Sequence, residues 1–463
     1  MSQSTTSTYR GTAKEGLEHH RAGRLSEAEQ LYKLALCINP NDADCLHLLG
    51  MVAYQTERHA VAVDLIRKAI ALNGTAASYH SNLGNVLQAQ RNMAEARSCY
   101  ERALAIKPDQ AEVHLNLGHI LKAQGELDAG LASYRRAIAL KQHLAEAHVA
   151  ESTALLLGGN YSTGWHNFEL RWQTQDYDTL PRTYRQPKWG GERLNTGRVL
   201  IWGEQGIGDE VMFAGLIPDI LRGGNRCVLD CDLRLKPLFE RSFPEVEVVS
   251  RYDPELHAKL DIAAHLPSGS LPGLFRTDHK AFGATKSPYL TVDPLDRKRL
   301  RCKYGDRRPL VGVAWRSTNK KSGRERSVDL ALLAPLFSRA DVQWISLQYG
   351  DHDTLEQQVD TAGTSLLVDR TVDQLTDIDA YATQVSVMDL VITIDNTTAH
   401  MAGALGIPTW VLLPFSPDWR WLLGRTDSLW YPTIRLFRQP SPGDWYSVLQ
   451  QVQDAFSLIF HRP

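Results

Sequence analysis

The sequence predicts an α-helical solenoid followed by an α/β part that is built on two parallel sheets. In the first third of the chain, glycine and alanine recur every 34 residues, as they do in stacked helical repeats. From residue 198 onward, short apolar runs alternate with helix-like segments, which is typical of a parallel sheet covered by helices. Residues 389–414 show this pattern most clearly: buried strand, polar turn, short helix and second buried strand.

Length and composition limit the classes of protein that are compatible with this chain. Its 463 residues allow two or three domains, and its net charge of −2 argues against a dedicated nucleic-acid binder or a membrane-surface protein. The polar N-terminus lacks the apolar core of a signal peptide, and we expect no transmembrane segment. The six cysteines form no CxxC pair, so we expect free thiols, no zinc site and a cytoplasmic location.

Four repeat units share one phase in the first third of the chain. The recurring glycines are Gly16, Gly50, Gly84 and Gly118, and the recurring small residues are Ala28, Ala62, Ala96 and Gly130. The bulky positions are Tyr32, Ile66, Tyr100 and Tyr134, and each is followed by alanine at Ala35, Ala69, Ala103 and Ala137. This pattern resembles the tetratricopeptide repeat. We therefore predict a repeat domain over residues 9–175, with a degenerate fifth unit in which Ser152 replaces the glycine.

A repeat array of this kind predicts a partner surface and gives no information about chemistry. Small residues let paired helices approach, so the recurring positions are core residues and the concave groove is the expected site for a protein or peptide. Asn82, Asn85, Asn116 and His119 are candidates for lining that groove, with a solvated helix face as the alternative. Because repeat arrays often self-associate, a homo-oligomer is also possible.

The rest of the chain predicts two similar α/β halves. We assign a linker to residues 176–196, a first half to 197–305 and a second half to 306–463. Predicted strands of the first sheet lie at 199–202, 226–229 and 246–249, and those of the second at 310–315, 342–348, 390–394 and 409–413. Two such sheets in tandem create a cleft, which is a preferred place for a ligand.

Two polar turns follow predicted strands and are expected at this cleft. The first turn, residues 203–210, contains Gly206 and Gly208, but Val211 follows where a dinucleotide fingerprint needs its third glycine. We therefore interpret it as a tight turn that projects Glu204, Asp209 and Glu210 into the cleft. The alternative is that Asp209 or Glu210 only favours the start of the next helix. The second turn, residues 395–398, begins a helix whose free N–H groups suit a phosphate, unless it is an ordinary capped βαβ unit.

These two turns carry a resemblance to a known family. With Gly208-Asp209 and the stretch from Asp395 to His400, the C-terminal two-thirds resembles GT-B glycosyltransferases of the heptosyltransferase type, which are family 9-like enzymes with two Rossmann-like domains facing a cleft. With its repeats, the chain is similar to bacterial tetratricopeptide–glycosyltransferase fusions and, more distantly, to O-linked N-acetylglucosamine transferases. Asn396 and Thr397 depart from the heptosyl pattern, so the donor need not be a heptose.

The resemblance implies an inverting, metal-independent transfer from a nucleotide-sugar donor. Because this donor is a co-substrate, we expect no separate cofactor. The acceptor would be recruited by the repeats, and we expect a protein. Asp209 is the first choice for the base, with Glu204 and Glu210 in reserve. The predicted donor-binding residues are Arg316, Arg326, Gln348, Asp395, Asn396, Thr397, Thr398 and His400. Lys320, Lys321, Arg324 and Arg326 compete for the role of the family's basic residue.

Several alternatives stay open. His400 is either a donor contact or a buried, hydrogen-bonded structural histidine. The Trp- and Arg-rich residues 417–425 either grip the donor or, as we favour, lock the two halves together. We predict no metal at the Asp-x-Asp pairs 230/232 and 377/379, since so short a motif arises by chance. A lipid- or glycan-directed transferase and an inactive repeat scaffold are the competing functions.

Overall fold

The computed structural model describes residues 3–174, 177, 179, 181–250, 260–284, 287–319 and 322–460. Lys320 and Lys321, two of the candidate basic residues, lie outside this part of the chain. The chain divides into two compact units, and the division lies between Glu151 and Ser152. None of the described helices combines the length and the apolar character that crossing a membrane requires.

The first unit is a stack of helix pairs. Its helices are α1 (Gln3–Arg21), α2 (Leu25–Ile38), α3 (Ala43–Gln55), α4 (His59–Leu72), α5 (Ala77–Ala89), α6 (Met93–Ile106), α7 (Ala111–Ala123) and α8 (Leu127–Leu140). Helix α9 (Ala145–Leu157) carries the division between the units. Each odd-numbered helix from α1 to α7 packs against the next helix of its own repeat and, from α3 onward, against the last helix of the preceding repeat. The unit is therefore the predicted helical solenoid.

Each pair packs through a recurring glycine and a bulky residue, which is aromatic in three of the four repeats. A Cβ atom on Gly118 would lie 2.5 Å from Cε1 of Tyr134, and one on Gly84 would lie 2.6 Å from Cε1 of Tyr100. Both aromatic rings are fully buried, so the glycine leaves the space that the ring of the second helix fills. This contact explains why the two residue types recur with the same period.

The four polar candidates of the groove bond to side chains of their own or a neighbouring repeat. Asn85 Oδ1 accepts hydrogen bonds from the Tyr100 hydroxyl (2.8 Å) and from Asn116 Nδ2 (3.0 Å). The imidazole of His119 lies 3.1 Å from the Tyr134 hydroxyl, and Asn82 likewise pairs with a histidine of the preceding repeat. All four are half-buried and keep some exposed surface, so their place on a partner surface stays a prediction.

The second unit contains two all-parallel sheets. The first has the order β3-β2-β1-β4, with β1 (Arg198–Trp202), β2 (Cys227–Cys231), β3 (Glu247–Ser250) and β4 (Ile262–Pro267). The second has the order β6-β5-β7-β8-β9, with β5 (Leu310–Ala314), β6 (Gln343–Ser346), β7 (Leu390–Ile394), β8 (Thr409–Leu413) and β9 (Ile434–Arg438). The prediction of two parallel sheets is confirmed, although it missed the edge strands β4 and β9.

Helices and turns connect and cover these strands. They are α10 (Tyr161–Phe168), α11 (Ile207–Ala214), α12 (Ile217–Arg222), α13 (Lys236–Ser242), α14 (Leu271–Phe275), α15 (Pro294–Tyr304), α16 (Gly323–Arg326), α17 (Leu330–Phe337), α18 (His352–Thr361), α19 (Ile378–Ser386), α20 (Thr397–Ala404) and α21 (Trp445–Ile459). A 3₁₀ turn, Glu169–Gln173, follows α10. Against the second sheet, Phe456 of α21 stacks on the fully buried Trp344 of β6 with 5.2 Å between ring centroids.

Two predicted boundary regions belong to the second unit. The degenerate fifth repeat places Ser152 where the other repeats have glycine, and its hydroxyl donates to the Gly164 carbonyl at 2.8 Å. In the predicted linker, the backbone N–H of Trp189 donates to the His265 carbonyl (2.8 Å), and the N–H of His265 donates to the Pro187 carbonyl (3.0 Å). This part of the linker therefore pairs with β4.

Candidate functional site

A cavity of about 660 Å³ lies where strands of both sheets end. Its wall is formed by residues that follow β1, β5, β6, β7 and β8, together with Tyr177 and Arg326. Ligands of parallel α/β sheets bind at the carboxyl ends of the strands, so this cavity occupies the expected position for a ligand site. It is the cleft that two tandem sheets predict.

The N-terminal turns of α11 and α20 meet at this cavity. A Cβ atom on Gly208 would lie 3.2 Å from Cδ2 of His400 and 3.3 Å from Oγ1 of Thr397, so the two helices approach as closely as they do because residue 208 is glycine. Asn396 caps α20, with its Oδ1 accepting from the N–H of Ala399 (3.4 Å), while its buried Nδ2 has no hydrogen-bond partner among the described residues. Two helix N-termini that line one cavity favour an anion.

Alternating charges form a chain along the wall of the cavity. Arg326 lies 3.2 Å from Asp395 and 3.7 Å from Asp418. Arg420 donates to Asp418 at 2.7 Å and to Asp209 by a second, short hydrogen bond. Asp209 comes after strand β1 of the first sheet, whereas the other four charged residues come after strands of the second sheet. This charge chain therefore joins the two sheets across the site.

Burial and the two guanidinium groups set the protonation of these acids. Burial raises the pKa of Asp209, against the opposing effect of Arg420. Burial likewise raises the pKa of Asp395. Burial has the same tendency at Asp418, but there the positive charges of Arg420 and Arg326 prevail and lower the pKa of that carboxyl. A carboxylate with a raised pKa accepts a proton more readily, which suits Asp209 to general-base catalysis.

His400 is fixed and neutral on the wall of the cavity. Its Nδ1 lies 3.0 Å from the Tyr431 hydroxyl, and its ring stacks on Trp421 with 5.5 Å between centroids. Burial, and then the nearby charge of Arg420, lower its pKa to about 3. His400 is therefore a buried, hydrogen-bonded histidine, and because it also lines the cavity its donor contact stays a prediction.

Comparisons with known proteins identify the repeats. Residues 74–143 match the tetratricopeptide repeat family, so the first unit contains tetratricopeptide repeats. The chain is also similar to protein FlbA of Caulobacter vibrioides, with 30% identity over 326 residues, or 66% of this chain. It spans about half (54%) of the length of that relative.

Solved structures of three repeat proteins are similar to about a third of the chain. MamA from Desulfovibrio magneticus is 20% identical, with 37% of this chain and 97% of that one covered and a TM-score of 0.33. PilF of Pseudomonas aeruginosa is 20% identical, with coverages of 36% and 77% and a TM-score of 0.34. YrrB, described as a TPR protein with an unusual peptide-binding site, is 19% identical, with coverages of 34% and 82% and a TM-score of 0.31.

The structure brings most of the predicted site residues together. Those that line the cavity are Asp209, Arg326, Asp395, Asn396, Thr397 and His400. Of the two described candidates for the family's basic residue, Arg326 lines the cavity, whereas Arg324 is exposed and is not part of the wall. Arg316 is half-buried and does not line the cavity, so its donor contact stays a prediction.

Two predicted donor-binding residues do not fit the role that the sequence suggested. Gln348 has no exposed surface: its Oε1 accepts from the N–H groups of Trp315 and Arg316, and its Nε2 donates to two backbone carbonyls. The fully buried hydroxyl of Thr398 accepts from the hydroxyl of Tyr381 at 2.6 Å. These side chains brace the fold behind the cavity and are not available to a donor.

Glu204 and Glu210, the reserve bases, are also buried away from the cavity. Glu204 has no exposed surface and is held by two hydrogen bonds from Arg171, at 2.8 and 2.9 Å. Glu210 accepts from the N–H of Asp232 at 3.0 Å. The Asp-x-Asp pairs also have structural partners, since Asp230 pairs with an arginine and Asp377 caps α19.

Sequence reasoning missed the two residues at the centre of the charge chain. Asp418 and Arg420 lie in the segment 417–425, which was assigned a role only as a whole. The pairing of Arg420 with Asp209 fits the interpretation that this segment locks the two sheets together. Tyr177, Tyr349 and residues 317–319 also line the cavity, and no sequence motif marks them.

Proposed function

We propose that the second unit is a GT-B glycosyltransferase, which moves a sugar from a nucleotide-sugar donor to an acceptor that the repeats recruit. The observation that carries this proposal is the meeting of two helix N-termini at one cavity, beside a carboxylate with a raised pKa and two arginines. An anion site next to a potential base is what transfer from a nucleoside diphosphate requires.

The second sheet supplies the groups for the donor. In the proposal, the diphosphate lies at the N-terminal turn of α20, where the Thr397 hydroxyl and the free N–H groups of the turn bind its oxygens. Arg326 and Arg420 neutralise its charge, and the Nε of Arg420 has no hydrogen-bond partner among the described residues. Cations of this kind remove the need for a metal ion. Residues 317–319 and Tyr349 then form the polar wall beside the nucleoside.

Asp209 from the first sheet supplies the chemistry at the acceptor. Its carboxylate takes the proton of the acceptor hydroxyl while the acceptor oxygen forms a bond to the anomeric carbon of the sugar. The bond from that carbon to the diphosphate oxygen breaks, and the nucleoside diphosphate leaves with the bonding electrons. Attack opposite the leaving group inverts the anomeric centre. This direction of attack agrees with a base and a diphosphate site that follow different sheets.

The repeats supply the acceptor in this proposal. Tetratricopeptide repeats support protein–protein interaction, so we propose a protein acceptor bound in the concave groove of the first unit. All six cysteines are free, as the sequence predicts, and this suits the reducing cytoplasm as the place of the reaction.

Incubation of the full chain with a panel of nucleotide sugars, followed by identification of the released nucleotide, tests the proposal. We expect one nucleoside diphosphate to be released, and we expect Asp209→Asn to slow its release by about 10²- to 10⁴-fold. The matched control, Asp261→Asn, changes an exposed carboxylate of the same unit and should leave the rate unchanged. Release of no nucleotide across the panel, with no binding of any donor by calorimetry, would favour the inactive scaffold instead.

A further inference from the structure

The segment that follows the repeats packs on both walls of the cavity. This connector comprises α10, the 3₁₀ turn Glu169–Gln173 and Tyr177. In the sequence, α10 and the 3₁₀ turn fall in the predicted repeat domain and Tyr177 in the predicted linker. The connector and the residues that it contacts at the cavity all belong to the second unit.

Arg171 of the connector binds the turn that leads to Asp209. Its guanidinium has no exposed surface and donates to both oxygens of Glu204, from Nε at 2.9 Å and from Nη2 at 2.8 Å. Glu204 also accepts from the backbone N–H of Gly269 at 2.6 Å. A bidentate, fully buried ion pair fixes the positions of both Arg171 and Glu204. It therefore anchors the start of the turn that leads to Asp209.

Tyr177 extends this anchor to the next residue of the turn. Its hydroxyl donates to Glu204 and accepts from Nε2 of Gln205 at 2.7 Å, and Tyr177 itself lines the cavity. The backbone N–H of Gln205 donates to Oγ1 of Thr179 at 2.8 Å. Gln205 has a φ of 63°, a conformation that a residue with a side chain adopts only when its surroundings hold it there. Tyr177 of the connector and the nearby Thr179 supply those surroundings.

The same connector supports the arginine that pairs with Asp209. Trp165 and Phe168 of α10 contact the ring of Trp419 edge to face, with centroids 5.1 and 6.1 Å apart. The guanidinium of Arg420 lies 4.2 Å from the centroid of that same ring. Trp419 therefore transmits the position of α10 to Arg420.

We propose that Arg171 is a positioning residue, through which the connector holds the Asp209 turn at the distance where Asp209 faces Arg420 and the donor. Its effect on catalysis rests on the function proposed above, whereas its effect on the turn does not. Displacement of a catalytic group by about 1 Å costs on the order of 100-fold in rate. Loss of the anchor should therefore lower kcat far more than it raises the KM for the donor, because most of the proposed donor contacts come from the second sheet.

The test is the paired substitution of Arg171→Met with Glu204→Gln in the full chain. It removes both buried charges together, so neither charge is left without its partner. The matched control, Lys303→Met with Asp369→Asn, removes another ion pair of the same unit that does not line the cavity. Amide hydrogen exchange is compared over residues 205–210 and over α20, and donor turnover is measured in parallel.

We expect faster exchange over residues 205–210 but not over α20, kcat lower by about 100-fold and a KM for the donor that is unchanged within about threefold. Unchanged exchange over 205–210, or an equal rise in both segments, overturns the proposal. If wild type turns over donor and the paired variant keeps its kcat while the turn loosens, the positioning role fails and the proposed function stands. If wild type turns over no donor, exchange still decides whether the connector holds the turn. Should the paired variant not fold, Tyr177→Phe, which removes the hydroxyl between Glu204 and Gln205, is judged by the same criteria.

Discussion

The neutral state of His400 makes the stability of the second unit depend on pH. Its pKa is lowered to about 3 by burial and by Arg420, from an ordinary value of 6.5. The unfolded chain therefore binds a proton that the folded chain does not bind between about pH 6.5 and pH 3, and the folded state loses stability as the pH falls through this range. From these two pKa values, the neutral state of His400 alone lowers the free energy of unfolding by about 2 kcal/mol at pH 5.

The substitution His400→Asn removes this dependence. Asparagine keeps a polar group near the Tyr431 hydroxyl but does not titrate, and it loses the stacking on Trp421. At pH 7.5 we expect the free energy of unfolding to fall by roughly 1–2 kcal/mol. The loss on going from pH 7.5 to pH 5 should become smaller than that of wild type by about 2 kcal/mol.

Urea denaturation followed by tryptophan fluorescence at both pH values measures this double difference. His166→Asn, which removes an exposed imidazole from the same unit, is the matched control and should leave the difference between the two pH values as in wild type. If His400→Asn also leaves that difference unchanged, the imidazole is not held neutral at the wall of the cavity and our description of the site is wrong.

Three further predictions follow from the close approaches and the buried acids. Gly208→Ala brings a Cβ to 3.2 Å from Cδ2 of His400, so calorimetry should show a stability lower by about 1 kcal/mol and roughly tenfold weaker donor binding. Gly118→Ala brings a Cβ to 2.5 Å from Tyr134, so thermal unfolding of the first unit should show a loss of about 1–3 kcal/mol, with donor binding unchanged. Because burial already raises the pKa of Asp209, a bound diphosphate should raise it further. Donor binding should therefore take up protons in the pH range where Asp209 titrates, as titrations in buffers of different ionisation enthalpy measure.

Each of these predictions has its own control or contradicting result. Gly283→Ala adds a Cβ that meets no described atom within 4 Å, so it should match wild type in both measurements made on Gly208→Ala. Donor binding by Gly208→Ala at wild-type affinity would contradict the anion site between α11 and α20. An undiminished melting temperature in Gly118→Ala would contradict the interlocking of glycine and aromatic residues. Binding enthalpies independent of the buffer would exclude proton uptake.

The fold could be read from the sequence wherever the pattern is local. The repeats were predictable because each glycine and its bulky partner recur at a constant spacing, and the central strands because they are continuous apolar runs. Strands β4 and β9 were missed because polar residues and proline interrupt their apolar runs: β4 contains His265 and ends at Pro267, and β9 contains Arg435 and Arg438.

The site was predictable to the extent that it consists of residues next to a strand end. Asp209 and Asp395 follow strands and could be found in this way, whereas Arg420 comes to Asp209 from 211 residues further along the chain. No local pattern records such a contact. Glu204 was misassigned for the same reason, since its buried partner Arg171 belongs to a segment that the sequence marks only as the end of the repeats.

Calorimetric titration of the full chain with a panel of nucleoside diphosphates tests the central claim, that the cavity between α11 and α20 holds the diphosphate of a nucleotide sugar. We predict that one nucleoside diphosphate binds, and that Thr397→Val, which removes only a hydroxyl on the cavity wall, weakens it by roughly 10- to 100-fold, the value of a hydrogen bond to a charged group. Thr361→Val, an exposed position on α18, should bind as wild type does. Binding of no member of the panel, or equal binding by both variants, would contradict the account.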